Sequence, residues 1–499
     1  MSIRSSVRDY AFALAALFIL LSGTEIVLGQ QENEMVVWTA APSDLNLAVT
    51  QVAPADSALS SIEEGRTSLD DWFGWRQWQL KERREAFKDT KFEINLRTYF
   101  FDRHQFNGSE SEAWAIGGWL GLKTGYFLDH VAFGSTLYTS QPLYAPADRS
   151  GSLLLLPNQD GYTVLGEFYA DIRIIDGLNI NVGAKGYDTP FINRNDVRMT
   201  PNTFEAIVLQ GRAELGGSST NANESDASPT GDIAGLSKDT VDAGQAKVEP
   251  EKENAVLKYG AGYFYQIKER NDSEFVSMAV DAGANVDRGV YSAGLLYEKG
   301  GFSIGGIDYL CPDVINIAYA ESKLKFPIGA DWQPKLNAQF VQQHSVGADL
   351  LQGDNFSGQQ FGLKLDLPVT KPFLLTAAVT YAWGDANLRN PWSSYPGYTS
   401  VQVQDFNRAG EGALLLRAGY DFPWVEGLSA YALGVFGTTP DQAGQYRQNE
   451  YDFNLQFAPK KGLLKDLSLR LRYALVHQYG GNVDNLTDFR VICNYVIKF

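Results

Sequence analysis

The final segment of the chain, 488–499, constrains its fold more than any other stretch. Counted back from Phe499, every second residue is apolar or aromatic, whereas the positions between them include Lys498, Asn494 and Arg490. Because successive side chains of a strand point to opposite faces, this pattern predicts a β-strand with one apolar and one mixed face. The apolar face would cover the core of a soluble sheet or contact lipid in a transmembrane barrel.

The same alternation recurs along most of the chain from residue 91 onward, and this decides between the two folds. In the first such segment, Phe92 and Leu96 alternate with polar residues. Tight polar turns, as at 176–177, alternate with longer connections, as at 141–161, which is typical of barrels with periplasmic turns and extracellular loops. We therefore predict an all-β fold: a transmembrane antiparallel β-barrel of 18 strands over 91–499, with a short N-terminal periplasmic extension.

One further apolar stretch, 275–280, could add another strand to this count. An odd number would leave the two chain ends on opposite sides of the membrane, and bacterial single-chain barrels have even numbers of strands. We therefore assign 275–280 to a structured external loop.

Three segments outside the alternating pattern are assigned from their composition. Residues 1–29 are predicted to be a secretory signal peptide, because two arginines precede an apolar run that is too short to span a membrane comfortably. Residues 30–90 are predicted to form the periplasmic extension, and their tryptophan spacing is compatible with one short helix. Residues 213–254 are acidic and lack aromatic residues, which predicts a disordered insert on the periplasmic side.

Charge and the scarcity of certain residues narrow the functional classes. The net charge of −17 argues against a nucleic-acid partner. Cys311 and Cys493 lie far apart in the predicted barrel, so we expect no disulfide bond. The four histidines show no metal-ligand spacing. We expect no metal, no cofactor and no enzymatic activity.

Three segments, 187–204, 405–420 and 461–499, carry sequence patterns of a known family. The first fits the pattern Asp-x-Arg-x-x-Pro-x-Thr-Phe with Asp196, Arg198, Pro201, Thr203 and Phe204. In these segments the chain resembles the OprD-type outer-membrane porins. The resemblance implies a barrel in the outer membrane of a Gram-negative bacterium, narrowed by folded-in loops, through which small solutes diffuse with some selectivity.

The resemblance also implies that the loop between the fifth and sixth strands forms the constriction of the channel. Its charged candidates are Asp188, Arg194, Asp196 and Arg198. Charged side chains at a constriction replace part of the hydration of a passing solute. Alternatively, Asp196 and Arg198 pair with each other or with the barrel wall and only hold the loop. The aromatic, turn-rich connection 385–410 is a second candidate for lining the constriction.

Strand parity predicts a basic stripe on the lumenal wall. An arginine on the lipid face at mid-bilayer would cost about 2–4 kcal/mol, so basic strand residues are assigned to the inner face. The predicted stripe, similar to the arginine ladder of the family, consists of Arg97, Arg470, Arg472, Arg490, Arg417, Lys185 and Lys364. Such a track favours solutes that carry a carboxylate. Alternatively, neighbouring acids neutralise it, since Asp452 is expected near Arg472.

The expected partners are those of an outer-membrane channel. They are membrane lipid and lipopolysaccharide, a small-molecule solute, and the barrel-assembly machinery, whose recognition signal the terminal Phe499 and Tyr495 resemble. The pattern leaves a monomer and a homotrimer open. The alternative functions are a structural or adhesive outer-membrane barrel without transport activity, and a barrel enzyme.

Overall fold

The computed structural model describes residues 86–215, 254–328, 332–480 and 485–499. Residues Asp89–Phe499 form one compact unit. Its elements, in chain order, are β1 Lys91–His104, β2 Glu110–Lys123, β3 Val131–Tyr144, β4 Tyr162–Ile175, β5 Leu178–Lys185, β6 Thr203–Leu215, β7 Ala255–Lys268, β8 Val276–Ser277, α1 Met278–Asp281, β9 Val290–Lys299, β10 Phe302–Cys311, β11 Ile315–Lys325, β12 Lys335–His344, β13 Ser357–Thr370, β14 Phe373–Gly384, β15 Gly412–Asp421, β16 Leu428–Gly437, β17 Arg447–Phe457, β18 Leu467–Tyr479 and β19 Leu486–Lys498.

All strands except β8 form one closed antiparallel barrel. Consecutive strands pair, β7 pairs with β9, and β1 pairs with both β2 and β19, which closes the sheet. The predicted antiparallel barrel of 18 strands is therefore confirmed. The two-residue β8 and the single helical turn α1 lie in the connection between β7 and β9. The assignment of 275–280 to a loop, not to a barrel strand, is confirmed as well.

The two faces of the barrel differ as the alternating pattern predicts. On β1, Leu96 is 54% exposed on the outer face, whereas its neighbours Asn95 and Arg97 are buried on the inner face. The outer face is a nearly continuous band of such exposed apolar side chains, among them Ile116 on β2 and Leu295 on β9. A band of this kind fits contact with lipid.

The last strand closes the barrel at its seam. The backbone N–H of Phe499 donates to the carbonyl of Phe92 at 3.0 Å, and the N–H of Phe92 donates back at 3.2 Å. Tyr495 faces outward opposite Leu96. The role of Phe499 and Tyr495 as an assembly signal stays a prediction.

Several strands extend beyond the limits expected from the sequence, with β1 and β6 as two examples. The strand β1 continues at its C-terminal end to His104, because Phe101–His104 still pairs with β19. The side chains of this part no longer alternate cleanly between apolar and polar. The strand β6 continues to Leu215, paired with the start of β7, so three residues predicted to lie in the insert belong to the barrel. Residues 1–85 and 216–253 lie outside the described residues, so the signal peptide, the N-terminal extension and the disordered insert stay predictions.

The connections are distributed unevenly between the two ends of the barrel. The N-terminal end of β1 and the C-terminal end of β19 lie at the same end of the barrel as tight turns such as 176–177 and 300–301. The opposite end carries the longer connections L2 (145–161), L3 (186–202), L4 (269–289), L6 (345–356), L7 (385–411) and L8 (438–446). Cys311 and Cys493 are both free. Over the part of the chain that the structure describes, no helix has the length and apolar character needed to cross a membrane.

Candidate constriction and lumenal wall

The base of L3 is a small hairpin that holds two of the candidate residues. The Arg194 guanidinium forms an ion pair with Asp188 at 3.0 Å, and the backbone N–H of Arg194 donates to the carbonyl of Tyr187 at 2.8 Å. These bonds join the two sides of the hairpin, so Asp188 and Arg194 fix the point where L3 leaves the wall.

The tip of L3 folds inward and packs against the wall at β10 and β11. Phe191 is fully buried, and its ring centroid lies 6.0 Å from Tyr309 on β10 and 6.4 Å from Tyr319 on β11. The Tyr309 hydroxyl donates to the Thr189 hydroxyl at 2.8 Å. Since L3 starts between β5 and β6, these contacts hold it inside the lumen.

The second half of L3 is fastened to β1 by Arg97. Its guanidinium contacts the Asp196 carboxylate at 2.5 and 3.0 Å, and also donates to the backbone carbonyl of Arg198 at 2.6 Å. The neighbouring Tyr99 hydroxyl donates to the carbonyl of Val197 at 3.1 Å. Arg97 does face inward as predicted, and the structure joins it to the predicted loop residue Asp196 as an anchor for L3.

Arg198 lies beneath the loops, with only 5% of its surface exposed. Its Nε donates to the carbonyl of Ser152 in L2 at 2.9 Å, and its guanidinium lies 4.9 Å from the Phe101 ring. Burial, together with the charges of Arg490 and Arg270, holds the pKa of the Arg198 guanidinium well below its usual range. Arg198 therefore contributes to a buried basic cluster instead of projecting freely into the lumen.

The other members of this cluster, apart from the predicted stripe residue Arg490, were not predicted from the sequence. The guanidinium groups of Arg103 and Arg490 also lie over the Phe101 ring, at 5.3 and 5.5 Å from its centroid. Both arginines form ion pairs with the fully buried Asp488, at 2.6 and 2.5 Å. Arg270 in L4 adds a further nearby charge. The missed signal is that Asp488, Arg490, Arg103 and Phe101 are cross-strand neighbours once β1 and β19 are joined.

L7 is held against the wall by three inward carboxylates. Glu450 on β17 accepts the backbone N–H groups of Val403 and Gln404, both at 2.7 Å. The next inward residue, Asp452, accepts the N–H of Gln402 at 3.1 Å. Asp488 accepts the side-chain amide of Gln402 at 2.7 Å. These acids were not among the predicted site residues.

L7 also reaches the other folded-in loops, and the role of 385–410 in lining the constriction stays a prediction. The Asn193 side chain in L3 donates to the Ser393 hydroxyl in L7 at 2.9 Å. Trp392 donates through its indole N–H to the carbonyl of Met278 in α1 at 2.8 Å. Tyr398 donates to Glu321 on the inner face of β11 at 2.8 Å. L3, L4 and L7 therefore form one connected layer across the barrel.

The other residues of the predicted stripe lie on the inner face with different partners. Arg470 donates to Asn454 at 2.5 Å, and Lys185 donates to Asn181 at 2.9 Å. Arg417 lies 4.2 Å from the ring of Tyr431, and Lys364 lies 5.1 Å from the ring of Tyr398. The structure thus places all seven basic residues on the wall, but it distributes them over several strands.

Arg472 is the stripe residue with the fewest bonds to the protein. It faces Arg490 across the β18–β19 pair. Its Nε is buried without a hydrogen-bond acceptor, and among the described residues no carboxylate lies at ion-pair distance from it. Asp452 is close enough to act on Arg472 through its charge, as expected from the sequence. The guanidinium therefore has an electrostatic neighbour but no fixed partner.

The family model for the outer membrane porins of the OprD family matches residues 250–499, which is half of the chain. This chain belongs to the OprD family. The porin therefore resides in the outer membrane and is a channel for small solutes, not an enzyme. No curated protein matches it.

Solved porin structures share its fold. A BenF-like porin from Pseudomonas fluorescens Pf-5 is similar with a TM-score of 0.69 at 18% identity, and OccK9 (OpdG) from Pseudomonas aeruginosa with 0.67 at 22%. OpdK from Pseudomonas aeruginosa, solved with vanillate, is similar with 0.65 at 19%. Each match covers 83% of this chain and 100% of the solved chain.

Proposed function

We propose that this porin passes small hydrophilic solutes by passive, moderately selective diffusion and favours solutes with a carboxylate, amino acids among them. L3 and L7 form the constriction, and the basic stripe guides the solute past it. The observation that carries the proposal is Arg472, an inward guanidinium beside the constriction without an ion-pair partner among the described residues. OpdK, which shares the fold, was solved with vanillate, a carboxylate.

The balance of charge at Arg472 suits passage better than tight binding. An ion pair in a solvated lumen contributes about 0.2–1 kcal/mol, so a carboxylate that meets Arg472 is attracted but leaves again. Arg417, Lys185 and Lys364 add inward basic groups on other strands of the wall. Arg97 and Arg490 hold loops in place, so their contribution to selectivity is indirect.

The test is single-channel recording of the reconstituted porin in planar bilayers with asymmetric salt. For Arg472→Gln we expect the anion-to-cation permeability ratio to fall about two- to fivefold, the effect of losing one solvated charge interaction. Lys299→Gln is the matched control, because Lys299 is exposed on the outer face of β9. An unchanged ratio in Arg472→Gln would contradict the guiding role. A wild type without any open channel would favour the adhesive alternative.

Membrane lipid and lipopolysaccharide are the surroundings expected of the outer face. Assembly by the barrel-assembly machinery and the choice between monomer and homotrimer stay predictions.

A further inference from the structure

A polar cavity lies among three external loops, apart from the constriction. Its volume is about 430 Å³, within the range of about 300–1,000 Å³ that small-molecule sites occupy. It is lined by residues of L6, L7 and L8, namely Gln352, Asp385, Ala386, Asn387, Arg389 and Gln442. None of these side chains takes part in the bonds that hold L3 or the 402–404 segment of L7.

Arg389 is fixed in this cavity by its backbone and by stacking. Its N–H donates to the Gln343 side chain at 2.7 Å, and its carbonyl accepts from the same side chain at 2.7 Å. Gln343 is buried at the C-terminal end of β12, so these two hydrogen bonds fix the backbone of Arg389 to the barrel wall. The guanidinium lies 5.5 Å from the Phe356 ring. Its position is therefore set before any ligand binds.

The charge of Arg389 is not balanced by a neighbouring acid. The guanidinium donates to the neutral Gln352 side chain at 2.6 Å. Its Nε has no acceptor, and no carboxylate lies at ion-pair distance from it within the described ranges. A cation that is held in place without an anionic partner is suited to a ligand carboxylate.

The same cavity offers a carboxylate. Asp385 uses one oxygen to accept the backbone N–H of Ser357 at 2.5 Å, and no donor among the described residues contacts the other. Asn387 similarly uses its side-chain oxygen for the N–H of Ala409 at 2.8 Å. One cation, one anion and several amides therefore surround the same polar space.

We propose that this cavity is an outer capture site for zwitterionic solutes of the α-amino acid class. The ligand carboxylate binds Arg389 and its ammonium group binds Asp385. The inference rests on the proposed function, because the solute would bind this site before it reaches the constriction. Both groups are reached by water, so the site binds weakly and releases its ligand toward the lumen.

The test measures influx of radiolabelled L-glutamine into proteoliposomes over a range of concentrations. For Arg389→Gln we expect the half-saturation concentration to rise about two- to fivefold with an unchanged maximal rate, since one solvated ion pair is lost. Arg389→Lys keeps the charge and should restore most of the wild-type value. Arg288→Gln is the control, because Arg288 is an exposed L4 arginine that does not line the cavity.

A second variant separates the two charges. Asp385→Asn keeps an oxygen for the Ser357 N–H and should raise the half-saturation concentration for L-glutamine but not for propionate, which has no ammonium group. Equal half-saturation in the wild type and in Arg389→Gln would overturn the site, as would an equal effect of Asp385→Asn on both probes. Those outcomes leave the proposed function standing if Arg472→Gln still changes ion selectivity.

Discussion

Arg97 and Arg472 both face the lumen close to the barrel seam, yet their surroundings differ. Arg97 contacts the Asp196 carboxylate and backbone carbonyls of L3. Arg472 lies on β18, two strands away from β1, and has Asp452 as an electrostatic neighbour but no ion pair within the described part of the chain. The first arginine holds a loop, and the second is available to a solute.

The difference follows from burial and water. A buried charge without a partner is costly, so an arginine beneath a folded-in loop is stable only with carboxylate or carbonyl partners. Arg490, also buried, meets this condition through Asp488. A charge that borders a water-filled lumen needs no such partner. We therefore propose that inward arginines divide into loop anchors and solute contacts according to the loops that cover them.

The largest effect should come from removing an anchor. In Arg97→Gln, the half-exposed Asp196 loses its cation and the carbonyl of Arg198 loses a charged donor, and a hydrogen bond to a charged group contributes about 1.5–3 kcal/mol. We expect the second half of L3 to leave β1, with a higher and noisier single-channel current. Arg472→Gln is the control, because it removes an inward arginine without touching L3. Equal current noise in the two variants would abolish the distinction between anchors and solute contacts.

The L7 anchor should give a smaller effect of the same kind. Glu450→Ala leaves two backbone N–H groups without acceptors, at a cost of about 1–3 kcal/mol, and we expect L7 to be released from β17. Release should expose the bond after Arg408 to trypsin, and the cleavage rate measures it. Glu298→Gln on β9 serves as a control, because Glu298 is an inward acid that forms an ion pair with Lys258 on β7. Cleavage at the wild-type rate in Glu450→Ala would show that other contacts hold L7.

The fold could be predicted from the sequence because a strand's alternation records its environment residue by residue. All outward side chains contact the same lipid environment, so Leu96 and Leu295, on strands far apart in the sequence, are both apolar and exposed. Strand ends were less certain, as at His104, since side chains beyond the apolar band face water on both sides. The inward direction of Arg97 and Arg472 followed from the same parity.

Asp452 was expected near Arg472, but the other partners of the inward residues could not be predicted, because they come from segments far away in the chain. Asp196 was recognised as a loop residue, but its contact with Arg97 depends on how L3 folds inward. Arg270 and Glu450 could not be recognised as important from the sequence, since a single charged residue in a loop or strand belongs to no sequence pattern. Strand parity gives the direction of a side chain, and only the packed loops give its role.

A finer test concerns the neighbour of Arg472. If Asp452 partly neutralises this arginine, Asp452→Asn should raise the anion-to-cation permeability ratio about twofold, less than the change from losing the arginine itself. The asparagine keeps an oxygen for the Gln402 N–H, so L7 should stay in place. Reversal potentials of both single variants and the double variant form a complete cycle. Additive changes would mean that the two charges do not interact.

The smallest expected effect concerns an acid that lacks a partner. Asp281 in L4 has one buried oxygen without a donor among the described residues. Burial, with repulsion from Glu269 and Asp272, raises the pKa of its carboxyl to about 8, whereas an unfolded aspartate titrates near about 3.9. The folded state therefore binds this proton more tightly, and its stability falls as pH rises from about 4 to about 8.

Asp281→Asn removes this dependence because the amide does not titrate. Between pH 5 and pH 9, the thermal unfolding midpoint of the wild type in detergent should fall further than that of the variant, and at pH 9 the variant should be the more stable of the two. Parallel midpoints at every pH would mean that this carboxyl is ionised without strain. An unpaired charge would then be tolerated beneath the loops as well as beside the lumen, and the lack of an ion pair at Arg472 would no longer mark it as a solute contact.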